Sequence, residues 1–263
     1  MTLFIVTVTD DFALVSQDTA AFSLDESNVA RSEDFATINA DDVQKLATLE
    51  SRSTQPTDKP KYFTSKIVML PHLHMVLGGA GYHELILGWS QVMTVTAGRD
   101  LVELDPVVAD GIKRVAKIIK TEQPAMIYHV GLDKSADRMT GYLYNAAESY
   151  QSTRLEAGHA MMPLPSPDHE DYDELARCWT AAAHGEGAEE FHVRMAKNQY
   201  DSFWRGRYKH GSGIGGQLHT ARIDRDGIRV WVSHEFPGYA DQVAALGKIG
   251  GMAAALARAA SVG

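Results

Sequence analysis

Thr2-Leu3-Phe4-Ile5-Val6-Thr7-Val8-Thr9-Asp10-Asp11-Phe12-Ala13-Leu14-Val15-Ser16-Gln17-Asp18 follows Met1 and decides how the rest of the chain is read. Leu3 to Val8 is a β-branched and aromatic run. It is closed by the turn formers Asp10-Asp11 and answered by a second apolar run, Ala13 to Ser16. That pattern predicts a β-hairpin whose first strand begins at the second residue. A chain entering a buried strand at once has its terminus tied into a sheet instead of fraying in solvent. The same stretch lacks the basic n-region of a secretory leader and meets acidic residues too early for one, so it is expected to belong to the mature protein.

Beyond the hairpin the composition changes. From about Thr19 to Thr64 the text is polar, with Pro56 and Pro60 and only a weak helical pattern over Ala40 to Leu49, and reads as an insertion in a single domain spanning residues 1–263. Strand character returns at Lys66 to Leu70 and again at Leu73 to Leu77, which ends in Gly78-Gly79-Ala80-Gly81. Two amphipathic helices are expected next. One covers Tyr82 to Met93 with Leu85, Ile86, Trp89 and Val92 on a face; the other covers Pro106 to Thr121 with Val108, Ile112, Val115 and Ile119. Met126 to Gly131 and Met139 to Tyr144 read as a strand pair, Asp168 to His184 and Ala188 to Phe203 as helices, with Ser166 as a cap for the first. Gln217 to Ile223 and Ile228 to Val232 form a final hairpin about Asp224 to Gly227, and an Ala-rich helix runs from Tyr239 to Ala260. Segregated strand and helix runs of this kind argue for an α+β layered architecture with antiparallel sheets.

The opening residues also carry chemistry. Met1 precedes a small residue, the situation in which an initiator methionine is commonly removed, so Thr2 is a candidate first residue of the working chain. A threonine hydroxyl is a weak nucleophile at its own pKa. A free α-amino group on the same residue titrates near 8 and can take the hydroxyl proton directly or through one water. One residue then supplies both nucleophile and base.

Thr2 and Asp18, followed by Lys66-Ile-Val-Met-Leu running on to Gly78-Gly-Ala-Gly81, resemble in type and interval the threonine, aspartate, lysine and glycine of proteasome β subunits and the proteasome-like peptidase HslV. Met126 to Asp133 and Gly213 to Gly227 are similar to a middle strand and a glycine-led final hairpin of those families. The resemblance implies a four-layer αββα sandwich, two antiparallel sheets face to face with helices outside, and ring-type homo-oligomers. It implies Thr2 as nucleophile, Lys66 as the cation that lowers proton affinity there, Asp18 as the carboxylate holding Lys66, and Gly78 as the backbone donor to an oxyanion. The substrate would be a peptide or another amide, with no cofactor and no metal.

Two stretches depart from that pattern. His159, in Glu156-Ala-Gly-His-Ala160, stands where the family has a serine, and before the last glycine pair Ser212 and Ile214 replace the usual aspartate and serine arrangement. Such groups orient the terminal amine. The residues therefore leave open a threonine-type amide hydrolase and a catalytically inactive structural or assembly subunit that keeps the fold.

Composition narrows the field further. With a net charge of −9 the surface repels phosphate backbones and anionic lipid, which argues against nucleic acid and membrane partners. One cysteine, Cys178, excludes an internal disulfide and fits the cytoplasm. Gly211-Ser-Gly-Ile-Gly-Gly216 formally fits a dinucleotide signature but leads into a strand, where that signature needs a helix. His72 and His74 are read as same-face residues of a strand with no acidic or cysteine partner at ligand spacing. Trp89, Trp179, Trp204 and Trp231 read as core or interface aromatics.

Overall fold

The structure, a computed structural model, describes residues 3–21, 62–96, 101–155, 158–162, 170–204 and 214–244. Thr2, the interior of the expected insertion, Ser166, Ser212 and the Ala-rich stretch beyond 244 lie outside the described residues.

The opening hairpin forms as expected from β1 (Phe4–Val8) and β2 (Phe12–Asp18), paired antiparallel from Phe4 opposite Gln17 to Val8 opposite Ala13. Thr9 closes the turn: its hydroxyl donates to the Phe12 carbonyl at 2.8 Å and accepts from the Phe12 amide at 3.0 Å. Strand periodicity then sorts the side chains. Phe4, Val6, Val8, Ala13 and Val15 face one way, into a core between the sheets, while Leu3 and Ile5 face the other, into a core beneath helices.

β3 (Ala20–Ala21) and β4 (Tyr62–Phe63) pair at the base of the segment read as an insertion. β5 (Val68–Leu70) and β6 (Met75–Gly81) follow, joined by a short 3-10 turn over Pro71–Leu73. Here the structure corrects two readings. Strand β6 continues through Gly78, Gly79 and Ala80 to Gly81, and the glycines are there for close approach and, at Gly81, for a φ of 100°. His72 lies in the turn and His74 sits in the left-handed region at φ 53°, so they are not neighbours on one strand face.

Helices α1 (His83–Thr94) and α2 (Leu101–Ile118) cover the sheet built from β5, β6, β7 (Ala125–Asp133), β8 (Arg138–Asn145) and β9 (Ser152–Leu155), in that order. On α1 the buried row is Leu85, Trp89 and Met93, one residue every turn, with Ile86 beside it; Val92 is displaced to the exposed side. On α2 Pro106 lies inside the helix, because Leu101 and Leu104 extend the apolar stripe of Val108, Ile112 and Val115 back before the proline. The other sheet runs β10-β1-β2-β11-β12, from β10 (Gly158–Met162), β11 (Gln217–Asp224) and β12 (Gly227–Glu235). Helices α3 (Tyr172–Ala183) and α4 (Ala188–Trp204) pack on its outer face through Leu175, Ala182, Phe191 and Met195.

Three apolar layers thus alternate with four structural ones. The first lies beneath α1 and α2, the second between the sheets, and the third beneath α3 and α4. This is the four-layer αββα sandwich, and it places the ends of β2 and the approach to β5 side by side.

Candidate functional site

Asp18 is the last residue of β2 and is completely buried. Its position in the ladder puts it on the same face as Leu14 and Ser16, with Leu218 of β11 opposite. An isolated carboxylate there would be expensive to desolvate, so donors must converge on it. They do. The Lys66 ammonium lies 3.1 Å from Oδ1, the Leu3 amide donates to the same oxygen at 2.9 Å, and the Gly215 amide donates to Oδ2 at 3.4 Å. Lys66, 7% exposed, also donates to the Ala20 carbonyl at 2.7 Å.

Burial pushes Asp18 up from its ordinary pKa, and the Lys66 charge, the Lys66 hydrogen bond and the two backbone amides oppose that. Burial likewise pulls Lys66 down, against the attraction of Asp18. Two amides and an ammonium converging on one carboxylate are the surroundings of an ionised pair. A desolvated ammonium next to the first strand lowers a neighbouring group's proton affinity by charge at close range. His83, the first residue of α1, is near enough to feel it: burial and then the Lys66 charge hold its imidazole below the ordinary value.

Gly78 sits in mid-β6 opposite Tyr128. A Cβ added there would collide with the Tyr128 hydroxyl and come within 2.7 Å of Gln17 Oε1. Gln17 is the neighbour of Asp18 on β2 but points the opposite way, into the space between the sheets. Its Nε2 donates to the Gly79 carbonyl at 2.5 Å, and its Oε1 accepts from the Tyr128 hydroxyl at 2.7 Å.

Of the four residues singled out from the sequence, the structure brings Asp18 and Lys66 into direct contact. It sets Gly78 one residue from the Gln17 contact on the adjoining sheet. Thr2 lies outside the described residues and is the residue joined by a peptide bond to the Leu3 nitrogen that donates to Asp18. His159 occupies β10 with its backbone opposite Thr7. Sequence reading missed Gln17, Tyr128 and the Gly215 amide. For Gln17 a signal existed: Ala13 and Val15 alternate toward the inter-sheet core, so position 17 had to point there too, and a carboxamide in that place needs partners.

A cavity of about 510 Å³ opens elsewhere, between α4 and the end of β12, lined among others by Lys197, Tyr200, His234 and Phe236. Neither Asp18 nor Lys66 lines it, and among the described residues no cluster of histidine, cysteine or carboxylate side chains is arranged to hold a metal ion. Among the described residues no helix is long and apolar enough to cross a membrane.

No family model matches the chain, and no curated protein matches it. Among solved structures, the chain is similar to an Anbu mutant from Hyphomicrobium sp. strain MC1, of proteasome-like fold. The TM-score is 0.50 and the identity 12%, over 97% of each chain. This corrects the resemblance to 20S proteasome subunits and HslV drawn from the sequence. The likeness extends to the sandwich and stops there. The physical reason is that the intervals from Thr2 to Asp18 and from Lys66 to Gly78 are the lengths of a hairpin and of a strand-turn-strand, which any chain with this layering needs.

Proposed function

We propose that the chain is a threonine-type amide-bond hydrolase, a peptidase or amidohydrolase, acting through Thr2 once Met1 is removed. The observation that carries the reading is the hydrogen bond from the Leu3 amide to Asp18, because it ties the start of the first strand to the buried Asp18–Lys66 pair. In this reading the Thr2 hydroxyl oxygen attacks the substrate carbonyl and its proton passes to the Thr2 α-amine, directly or through a water. Lys66 makes the neighbourhood electropositive and so favours the deprotonated oxygen; Asp18 fixes where the ammonium stands. The Gly78 amide meets the oxyanion of the tetrahedral adduct, a contribution typically of about 3 to 4 kcal/mol. Collapse breaks the C–N bond, the amine leaves with the proton, and water then hydrolyses the Thr2 ester, regenerating hydroxyl and acid.

Intact mass of the purified protein decides whether Met1 is absent. Incubation with a threonine-directed β-lactone or epoxyketone is then expected to add one equivalent to the wild type and none to Thr2→Ala. Retention of Met1, or equal labelling of both proteins, sinks the reading.

A second reading is favoured by the completeness of the ion pair itself. Leu3, Ala20 and Gly215 already satisfy it, so it can cross-link β1, β2 and the entry to β11 with no reaction at all, as in an inactive structural subunit. Self-association belongs to either reading. Val95 and Ile118 at the ends of α1 and α2 are 82% and 77% exposed, and light scattering across a concentration series tests whether copies associate.

A further inference from the structure

The proposed reaction asks for a backbone donor at Gly78, yet a glycine pair in mid-strand is the least constrained backbone in the sheet. Something must set its depth relative to the Asp18–Lys66 pair, whose carboxylate stands on β2 of the opposite sheet and whose lysine leads into β5 of the same sheet as Gly78. Gln17 is placed to do so. It is 1% exposed and stands between the sheets, and it is bonded through the chain to Asp18. Its carboxamide donates to the Gly79 carbonyl at 2.5 Å while accepting from the Tyr128 hydroxyl at 2.7 Å. Tyr128 is itself fully buried, and burial holds its phenol above the ordinary pKa, so it stays a donor. The same hydroxyl and the same carboxamide oxygen occupy the space a Cβ at Gly78 would need. The clamp therefore touches Gly78 on its α-carbon and Gly79 on its carbonyl.

We propose that Gln17, backed by Tyr128, is a positioning residue that fixes the Gly78–Gly79 backbone at working distance from the Asp18–Lys66 pair. The inference rests on the amide-hydrolase reading for its catalytic consequence, but not for its structural one. Glutamine is suited to the task because one end of its amide must donate and the other accept. Methionine matches its length and offers neither. An ionised glutamate turns a second acceptor toward the Gly79 carbonyl. A protonated glutamate restores both bonds, with its hydroxyl donating to Gly79 and its carbonyl accepting from Tyr128.

The experiment measures β-lactone labelling by mass spectrometry, resolved into a binding constant and a maximal rate, together with amide exchange over residues 75–81. Wild type, Gln17→Met, Gln17→Glu and Tyr128→Phe are compared, each checked for folding by circular dichroism. Gln17→Met is expected to lower the maximal rate about a hundredfold with inhibitor binding little changed, since misplacement by about 1 Å costs on that order. Its exchange is expected to rise at Gly78 and Gly79. Gln17→Glu is expected to label near the wild-type rate at low pH and to lose rate as its buried carboxyl ionises, a pH profile the wild type lacks. Tyr128→Phe falls in between. If the wild type labels and Gln17→Met labels equally fast, the inference is overturned. If the wild type itself does not label, the amide-hydrolase reading fails and exchange alone decides. A rise confined to Gly78 and Gly79 in a folded Gln17→Met upholds the clamp, and an unchanged pattern overturns it.

Discussion

Two fully buried polar sites stand in different layers of this sandwich and are solved in opposite ways. At the end of β2, Asp18 and Lys66 are charged, and the chain brings the Leu3 amide, the Gly215 amide and the Ala20 carbonyl from three further places to satisfy them. Beneath α1 and α2, His129 of β7 is neutral. Its Nε2 accepts from Trp89 Nε1 at 2.9 Å, the two rings stack at 6.0 Å, and Tyr144 meets the imidazole edge-on at 4.9 Å. Because Nε2 accepts, the ring proton is on Nδ1, which has no hydrogen-bond partner among the described residues. A buried charge without partners is not tolerated, whereas one orphaned N–H is carried by good packing. The dense convergence at Asp18 and Lys66 is thus what a retained charge demands, and the looser His129 site is what a neutral group permits.

The largest effect separating them should come from unpairing the charge. Lys66→Met leaves Asp18 buried with two amides and no cation, and is expected to cost about 3 to 5 kcal/mol in guanidinium denaturation. Adding Asp18→Asn to Lys66→Met removes the stranded charge and should recover a large part of that loss. A Lys66→Met protein as stable as wild type would erase the distinction.

The neutral site should break more gently. Trp89→Phe removes the donor to His129 Nε2 while keeping the stacked ring, and a loss of about 1 to 3 kcal/mol is expected. A cost as large as that of Lys66→Met would mean that the orphaned imidazole is the more demanding group after all.

Acid sharpens the contrast. Burial pushes His129 down to about 3, far below an unfolded histidine near 6.5. Between those values the unfolded chain binds a proton that the native state refuses, so stability falls as the pH falls, by about 1.4 kcal/mol per pH unit. The loss begins near pH 6.5 and is complete near 3. Denaturation midpoints of wild type and His129→Gln, compared at pH 7 and pH 5, isolate it from the other histidines. An identical pH slope in both proteins would remove His129 from the account.

How much of this was readable in advance follows the same division. The Asp18 and Lys66 pairing was an expectation carried by the resemblance, and the physical support for it was that a buried ammonium needs a partner. Apolar runs in β1, β2, β7, β8, β11 and β12 made a mixture of helices and antiparallel strands legible, whereas the order of the four layers came only from the resemblance to a known family. β9 and β10 were not legible. Ser152 to Leu155 is mostly exposed and shows no alternation, and Gly158-His-Ala-Met-Met162 has no β-branched residue, yet β10 is paired along all of β1. It is a strand because β1 needs a partner, a tertiary cause that leaves no local trace. Gly215 and Gln17 escaped for a related reason. A backbone amide carries no sequence signal, and Gln17 is told apart from a solvated strand residue only when the alternation of Ala13 and Val15 is followed on to position 17.

The smallest effect belongs to a third arrangement of charge, on the surface. Arg225, in the turn between β11 and β12, reaches Asp11 at 3.1 Å and Asp137 at 3.3 Å, which ties that turn to the turns after β1 and β7. By distance it equals the Asp18–Lys66 pair. By surroundings it does not, for Arg225 is 45% exposed, Asp11 83% and Asp137 76%. Water already solvates both signs, so little is gained by pairing them, and added salt screens what remains. Arg225→Ala should move the guanidinium midpoint least of the variants named here, and urea midpoints should show its small deficit shrinking as sodium chloride is raised. A salt-insensitive loss comparable to that of Lys66→Met would show that distance, and not burial, sets the worth of an ion pair in this fold.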